Sequence, residues 1–220
     1  MLSKSDVRAW IERIGVVPVI RGSDAGLVRR AVDAVIAGGL TVIEITFTVP
    51  RAAEVIASLV SDLGESALVG AGTVTNLALC REALGAGAAF IVSPNTGEEV
   101  IRECNGAGVL VCPGALSPTE VVRALELGAD VVKVFPVSNV GGPAYIKALR
   151  GPLPDVPFIP TGGIDLGNAG DYIRAGAAAI GVGGSLVGKA AVAEGDWAAV
   201  TDNARRFVAE VAAARGGRLA

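Results

Sequence analysis

Short apolar runs rich in Val and Ile recur along the chain. In order they read "VVPVI", "TVIEITF", "ALVGAG", "FIVSP", "VLVCPG", "VVKVFP", "FIPTGG" and "AIGVGG". Between them lie stretches with helical periodicity, such as "LVRRAVDAVIAGG" and "PTEVVRALELG". A glycine precedes each run: Gly15, Gly39, Gly64, Gly87, Gly108, Gly128, Gly151 and Gly176, spaced 20 to 25 residues apart. Glycine accepts the left-handed conformation that closes a helix, so each is read as a C-cap. A run apolar on both faces belongs to a parallel strand covered by helices. Eight helix–Gly–strand units predict an α/β protein, a TIM (β/α)8 barrel with an extra N-terminal helix. The alternative, an open doubly wound sheet, fits the alternation too, but no strand is followed by a dinucleotide-type GxGxxG with an acidic residue downstream.

The extra helix falls on residues 1–14, "KSDVRAWIERIG" supplying its pattern. A closing helix is expected over "WAAVTDNARRFVAEVAAA" and a frayed tail over 216–220. With no internal linker, 1–220 reads as one domain.

Two charged side chains interrupt these runs. Lys133 sits inside "VVKVFP" and is one of only four lysines; Glu44 sits inside "TVIEITF". Alternation puts Lys133 on one face with Val131 and Phe135, and Glu44 with Val42 and Thr46. If the flanking valines face the helices, both charges point into the barrel, where side chains of non-adjacent strands meet. A buried ion pair is a weak stabiliser, because each ion loses its water at a cost of about several kcal/mol. Chemistry is the better reason to keep them. An amine kept from water near another cation, such as Arg21, is a nucleophile for a carbonyl carbon. The resulting imine draws electrons from neighbouring carbons, so a C–C bond there can break without a metal. Glu44 is the natural proton carrier, and Arg21, at the end of the first run, suits a carboxylate clamp.

Composition narrows the choice. The chain is 51% hydrophobic and 19% charged, with a net charge of −3 and a pI near 5.1. It has no clustered basic surface, which argues against a nucleic-acid partner. No uninterrupted apolar stretch reaches membrane-spanning length, and the N-terminus lacks the apolar core of a signal peptide. Histidine is absent, which removes Ser-His-Asp and Cys-His catalysis and histidine-ligated metals. Cys80, Cys104 and Cys112 form no CxxC pair, so reduced thiols in a cytoplasmic protein are expected. The last two runs end in "PTGGI" and "GVGGS". Thr161, Gly162, Gly163 and Ser185 stand where barrels often hold phosphate, gripped by backbone N–H groups.

The motifs "VIEITFTVP", "GAGTVTN", "FIVSPN", "CPGALSPTE", "VVKVFP", "PTGGI" and "GVGGSLV" occur in this order over about residues 10–215. Together they resemble the 2-keto-3-deoxy-6-phosphogluconate (KDPG) aldolase family. That family includes the 2-keto-4-hydroxyglutarate (KHG) and 2-keto-3-deoxy-6-phosphogalactonate aldolases. The resemblance implies a class I pyruvate aldolase on a TIM barrel that needs no cofactor, acts on a small-molecule substrate and commonly assembles as a homotrimer. It assigns the Schiff base to Lys133 and the acid-base role to Glu44. Pyruvate-carboxylate contacts fall on Thr73 and an arginine, and Pro94 and Phe135 line the pyruvate pocket. Gly162, Gly163, Gly184 and Ser185 match the phosphate loops. Many members carry the arginine four residues after the glutamate, where this chain has Thr48. Arg21 fits the version with the arginine at the end of strand one, and Arg51 is the weaker candidate. The main substrate reading is KDPG. The phosphogalactonate epimer, hydroxyglutarate and a non-catalytic sugar-phosphate-binding barrel are the alternatives.

Overall fold

A computed structural model describes residues 2–216. Of the expected tail, only Gly216 falls among them; 217–220 lie outside. The strands are β1 (Val16–Ile20), β2 (Val42–Thr46), β3 (Leu68–Gly72), β4 (Phe90–Val92), β5 (Leu110–Cys112), β6 (Gly114–Ala115), β7 (Val132–Val134), β8 (Phe158–Pro160) and β9 (Ile180–Val182). The helices are α1 (Lys4–Ile14), α2 (Ala25–Ala37), α3 (Ala52–Leu63), α4 (Leu77–Gly85), α5 (Glu98–Ala107), α6 (Pro118–Glu126), α7 (Pro143–Arg150), α8 (Ala169–Arg174), α9 (Gly184–Val187), α10 (Lys189–Glu194) and α11 (Trp197–Ala214).

All strand pairs are parallel, in the orders β5-β4-β3-β2-β1-β9 and β6-β7-β8. Two seams join these into the eight-staved TIM barrel. The fifth stave is β5 and β6 in line, split at Pro113, which has no N–H for the ladder. β5 pairs with β4, and β6 pairs with β7. The Pro113 carbonyl still accepts from Lys133 N at 2.9 Å. At the other seam, Ala178 N donates to Phe158 O at 2.9 Å, and Thr161 bridges Gly181. The expected eight runs are therefore nine strand segments.

Local signals explain the helix ends. Ser3 with Asp6, and Ser117 with Glu120, form reciprocal capping boxes on α1 and α6. Seven of the eight spacing glycines have positive φ, as expected of C-caps. Gly151 departs from the expectation: it stays right-handed (φ −55°), and the chain leaves α7 through Pro152 and Pro154.

Side-chain alternation divides the core in two. Val16, Ile20, Ile43, Ile45, Ile91, Val132, Val134 and Phe158 face the helices. Val17, Val42, Leu68, Phe90, Leu110, Val131 and Ile159 fill the barrel and pack on Val7 and Ile11 of α1. The N-terminal helix thus seals the floor. Lys4 Nζ–Asp130 at 2.9 Å and Trp10 Nε1 to Thr41 Oγ1 at 3.0 Å hold it there. Among the described residues no helix is long and apolar enough to cross a membrane.

Candidate active site

The inward face of β2 runs Val42, Glu44, Thr46, and all three are buried. Glu44 pairs with Val19 of β1 and Gly70 of β3, and its carboxyl lies across Gly72. A Cβ on Gly72 would come within 1.9 Å of Glu44 Oε1, so only glycine leaves room for the acid. Glu44 is 3% exposed, and its Oε1 has no hydrogen-bond partner among the described residues. Burial lifts this carboxyl above its ordinary value of 4.5, opposed first by Lys133 and then by Arg21. A lone buried polar atom costs about 1–3 kcal/mol. Packing alone gives no reason for it.

Lys133 faces inward from β7, as the alternation predicts, and is 6% exposed. Its register partners are Gly114 and Ile159, and its amine lies 5.1 Å from the centre of the Phe135 ring. It enters none of the salt bridges among the described residues. Lys133, Glu44, Cys112, Phe90 and Thr161 border a closed chamber of about 10 Å³. That is no more space than one water needs. The Cys112 thiol is pushed up to about 12 by burial and stays protonated.

Above the chamber lies an open cleft of about 420 Å³. Arg21, Phe135, Thr161, Gly162, Gly163, Gly184 and Ser185 line it, so the structure gathers the phosphate-loop candidates with Arg21. Thr161 and Gly181 border both spaces. A Cβ on Gly181 would meet Thr161 Oγ1 at 2.3 Å. Gly162 and Gly163 have φ of 99° and 73°, which disfavours any side chain. The amides of Gly163, Gly184 and Ser185 donate to no backbone acceptor among the described residues. The Ser185 hydroxyl donates to the Ile164 carbonyl, which joins the two loops. Asp165 also lines the cleft, and its carboxylate accepts from Gly167 N at 2.8 Å.

Thr73 and Pro94 end neighbouring staves on the same rim but border neither space. Thr73 has φ +60°, a strained setting for a β-branched residue and one typical of working sites. Val74 is held on both sides, its N–H by Val92 O at 3.2 Å and its carbonyl by Ser93 Oγ at 2.7 Å. Arg51 is exposed at the N-cap of α3, paired with Glu54, and borders neither the chamber nor the cleft. Thr48 bonds the Thr46 hydroxyl at 2.6 Å, and Thr46 donates to Ile20 O at 3.3 Å, beside Arg21.

Sequence reasoning missed Gly72 and Gly181, whose missing side chains admit Glu44 and Thr161. Their signal was present: Gly70 and Gly72, like Gly181 and Gly183, alternate with period two on the inward face.

Comparison with known proteins shows the family of the chain. The family model for KDPG and KHG aldolase matches residues 7–203. The 2-dehydro-3-deoxy-phosphogluconate aldolase of Treponema pallidum is 42% identical over 195 residues, 87% of this chain and 90% of that protein. The 2-dehydro-3-deoxy-6-phosphogalactonate aldolase of Escherichia coli K12 is 38% identical over 178 residues, 80% of this chain and 86% of that protein. A crystal structure of KDPG aldolase from Legionella pneumophila, with pyruvate captured as a covalent carbinolamine intermediate, superposes with a TM-score of 0.84. It is 30% identical, and the match covers 90% of this chain and 96% of that one.

Proposed function

Because the chain belongs to the KDPG and KHG aldolase family, we propose that it is a class I aldolase that splits KDPG into pyruvate and glyceraldehyde 3-phosphate. The observation that carries this reading is the small buried chamber shared by an inward lysine and an inward carboxyl whose Oε1 is unpartnered among the described residues. Buried charges of this kind, gathered under a cleft, mark chemistry more often than stability.

The Lys133 amine adds to the C2 carbonyl and forms a carbinolamine. Glu44, whose hold on a proton burial strengthens, gives a proton to the departing hydroxyl, and water leaves an iminium. The Glu44 carboxylate then takes the C4 hydroxyl proton as the C3–C4 bond breaks, and that electron pair flows into the iminium. The aldehyde departs, leaving an enamine. Glu44 returns the proton to C3, and water then releases pyruvate and the free amine, with Glu44 protonated again. Arg21 orients the pyruvate carboxylate as a two-pronged donor, with Thr73 beside it. Phe135 lines the pocket wall, and Pro94, on the same rim, is assigned to it by the family resemblance. Thr161, Gly162, Gly163, Gly184 and Ser185 receive the phosphate, with open amides as donors.

Sodium borohydride added with pyruvate should fix a mass increase on Lys133, read by peptide mass spectrometry. An unmodified Lys133 under conditions where pyruvate binds would end the Schiff-base reading. The 38% identity to a phosphogalactonate aldolase favours a second substrate, the C4 epimer. Retro-aldol rates on the two epimers, and on 4-hydroxy-2-oxoglutarate, decide between them. The assembly implied by the resemblance is a homotrimer, and light scattering should then give about three times the 22.0 kDa chain mass.

A further inference from the structure

The two loops that receive the phosphate in this reading are bonded unevenly. Their carbonyl oxygens are taken. Gly162 O accepts from Ser138 N at 3.3 Å, and Gly163 O from Asn168 Nδ2 at 3.0 Å. Ile164 O accepts from the Ser185 hydroxyl. Gly183 O accepts from Leu186 N, and Gly184 O from Gly188 N. Ser185 O and Leu186 O both accept from Asn203 Nδ2, each at 2.7 Å. The amides of Gly163, Gly184 and Ser185, by contrast, have no backbone partner among the described residues. A peptide unit is rigid and planar, so holding the Gly162, Gly183 and Gly184 carbonyls aims the N–H groups of Gly163, Gly184 and Ser185 at the other side, and those units keep their orientation only while the next units along each loop are held too.

Neither loop can hold that arrangement alone. α9 has four residues, too few for a self-supporting helix. The other loop has consecutive positive φ values at Gly162 and Gly163. Two asparagines outside the cleft supply the missing support. Asn168, at the start of α8, also accepts from Asp165 N at 3.0 Å, so its amide spans the loop. Asn203 reaches over from α11, eighteen residues beyond Ser185, and its amide nitrogen serves two carbonyls.

We propose that Asn168 and Asn203 are positioning residues that brace the peptide units next to the open loop amides and so keep both loops in place for an anionic tail, setting preference for phosphorylated over unphosphorylated substrates. This rests on the aldolase reading of the same site. It goes beyond that reading in naming the side chains that hold the cleft ready rather than those that touch the ligand.

The test compares one substrate with a phosphate and one without. Asn203→Ala and Asn168→Ala are assayed separately on KDPG and on 4-hydroxy-2-oxoglutarate, with inorganic phosphate as a competitive inhibitor of the KDPG reaction. The expected result for each is a KM for KDPG raised about tenfold, roughly one lost charge-assisted hydrogen bond. The inhibition constant of inorganic phosphate should rise in parallel. KM and kcat for the unphosphorylated substrate should stay within about twofold, since its carboxylate tail gains less from the preset amides. Losses shared equally by both substrates would reduce the asparagines to structural caps and overturn the proposal. So would unchanged KM values. Borohydride trapping of pyruvate keeps the two readings apart. A wild-type adduct with no substrate split sinks only this inference, whereas no wild-type adduct sinks the aldolase reading. If one variant fails to fold, the other carries the test, because the two asparagines support different loops.

Discussion

At its N-terminal end the barrel is filled by Val42, Leu68, Phe90, Leu110 and Val131 and covered by Val7 and Ile11 of α1. One layer higher, the same strands carry Glu44, Lys133 and Thr161 around a chamber the size of a water, with a glycine-lined cleft above. Both ends are equally dry: Phe90 is 1% exposed and Glu44 3%. What differs is whether burial is rewarded. Removing Phe90 from water contributes about 1.5–3 kcal/mol. Removing the Glu44 carboxyl costs free energy, and Oε1 recovers none of it through a hydrogen bond. The floor supplies the stability that the upper layer spends, a division common to barrels of this type.

The sharpest way to break the comparison is to truncate one residue at each level. Lys133→Ala should abolish turnover and leave the melting temperature near wild type, because no salt bridge is lost. Glu44→Gln should slow turnover by about 100-fold or more, the usual worth of a placed acid-base group. Phe90→Ala should cost about 3–5 kcal/mol of stability, and although the ring also borders the chamber, the folded fraction should lose far less turnover than Lys133→Ala. Steady-state kinetics and denaturant melts on all three variants give the result. A Phe90→Ala enzyme of normal stability, or a Lys133→Ala enzyme that turns over, would erase the distinction between floor and site.

β3 allows a finer version, because Gly70 and Gly72 share its inward face one layer apart. A Cβ on Gly70 would meet the Phe90 ring at 2.4 Å, and one on Gly72 would meet Glu44 Oε1 at 1.9 Å. Neither has positive φ, so alanine is acceptable to the backbone and the clash is what each variant reports. Gly70→Ala should lose about 1–3 kcal/mol by overpacking, with a smaller loss of kcat in the folded fraction than Gly72→Ala. Gly72→Ala should displace the carboxyl and lower kcat, with a smaller change in stability since the acid was unsatisfied to begin with. Equal effects of the two substitutions on kcat would mean the layers are not separate.

How much of this was legible beforehand follows from the range of each interaction. Alternation within one strand is local, so the inward positions of Lys133 and Glu44 could be read from "VVKVFP" and "TVIEITF". The eight staves could be read from glycine spacing, because a left-handed C-cap is a local event. Pro113 was visible, but the split of its stave into two ladders depends on neighbours it does not choose. Gly72 stood inside the run "ALVGAG", but a space for another strand's side chain is defined only by register. Asn168 and Asn203 carried no signal at all. An asparagine on a helix face is ordinary until tertiary packing brings two carbonyls to its amide.

The smallest effect is also the one that isolates the cost of burying the acid. The folded-state pKa of Glu44 is raised above its ordinary 4.5, mainly by burial. Below 4.5 the carboxyl is protonated both folded and unfolded, and burial carries no ionisation penalty. As the pH rises past 4.5, the unfolded chain releases its proton while the folded chain keeps it, so stability falls with pH until the folded-state pKa is passed. Glu44→Gln removes that titration. Its melting temperature relative to wild type should therefore rise from pH 4 to pH 8, whatever constant offset the amide itself introduces. The Gly70→Ala variant, which retains the acid, should track wild type across the same range. A Glu44→Gln difference that does not change with pH would mean the carboxyl titrates alike in both states. The upper layer would then differ from the floor in chemistry but not in the energy of its burial.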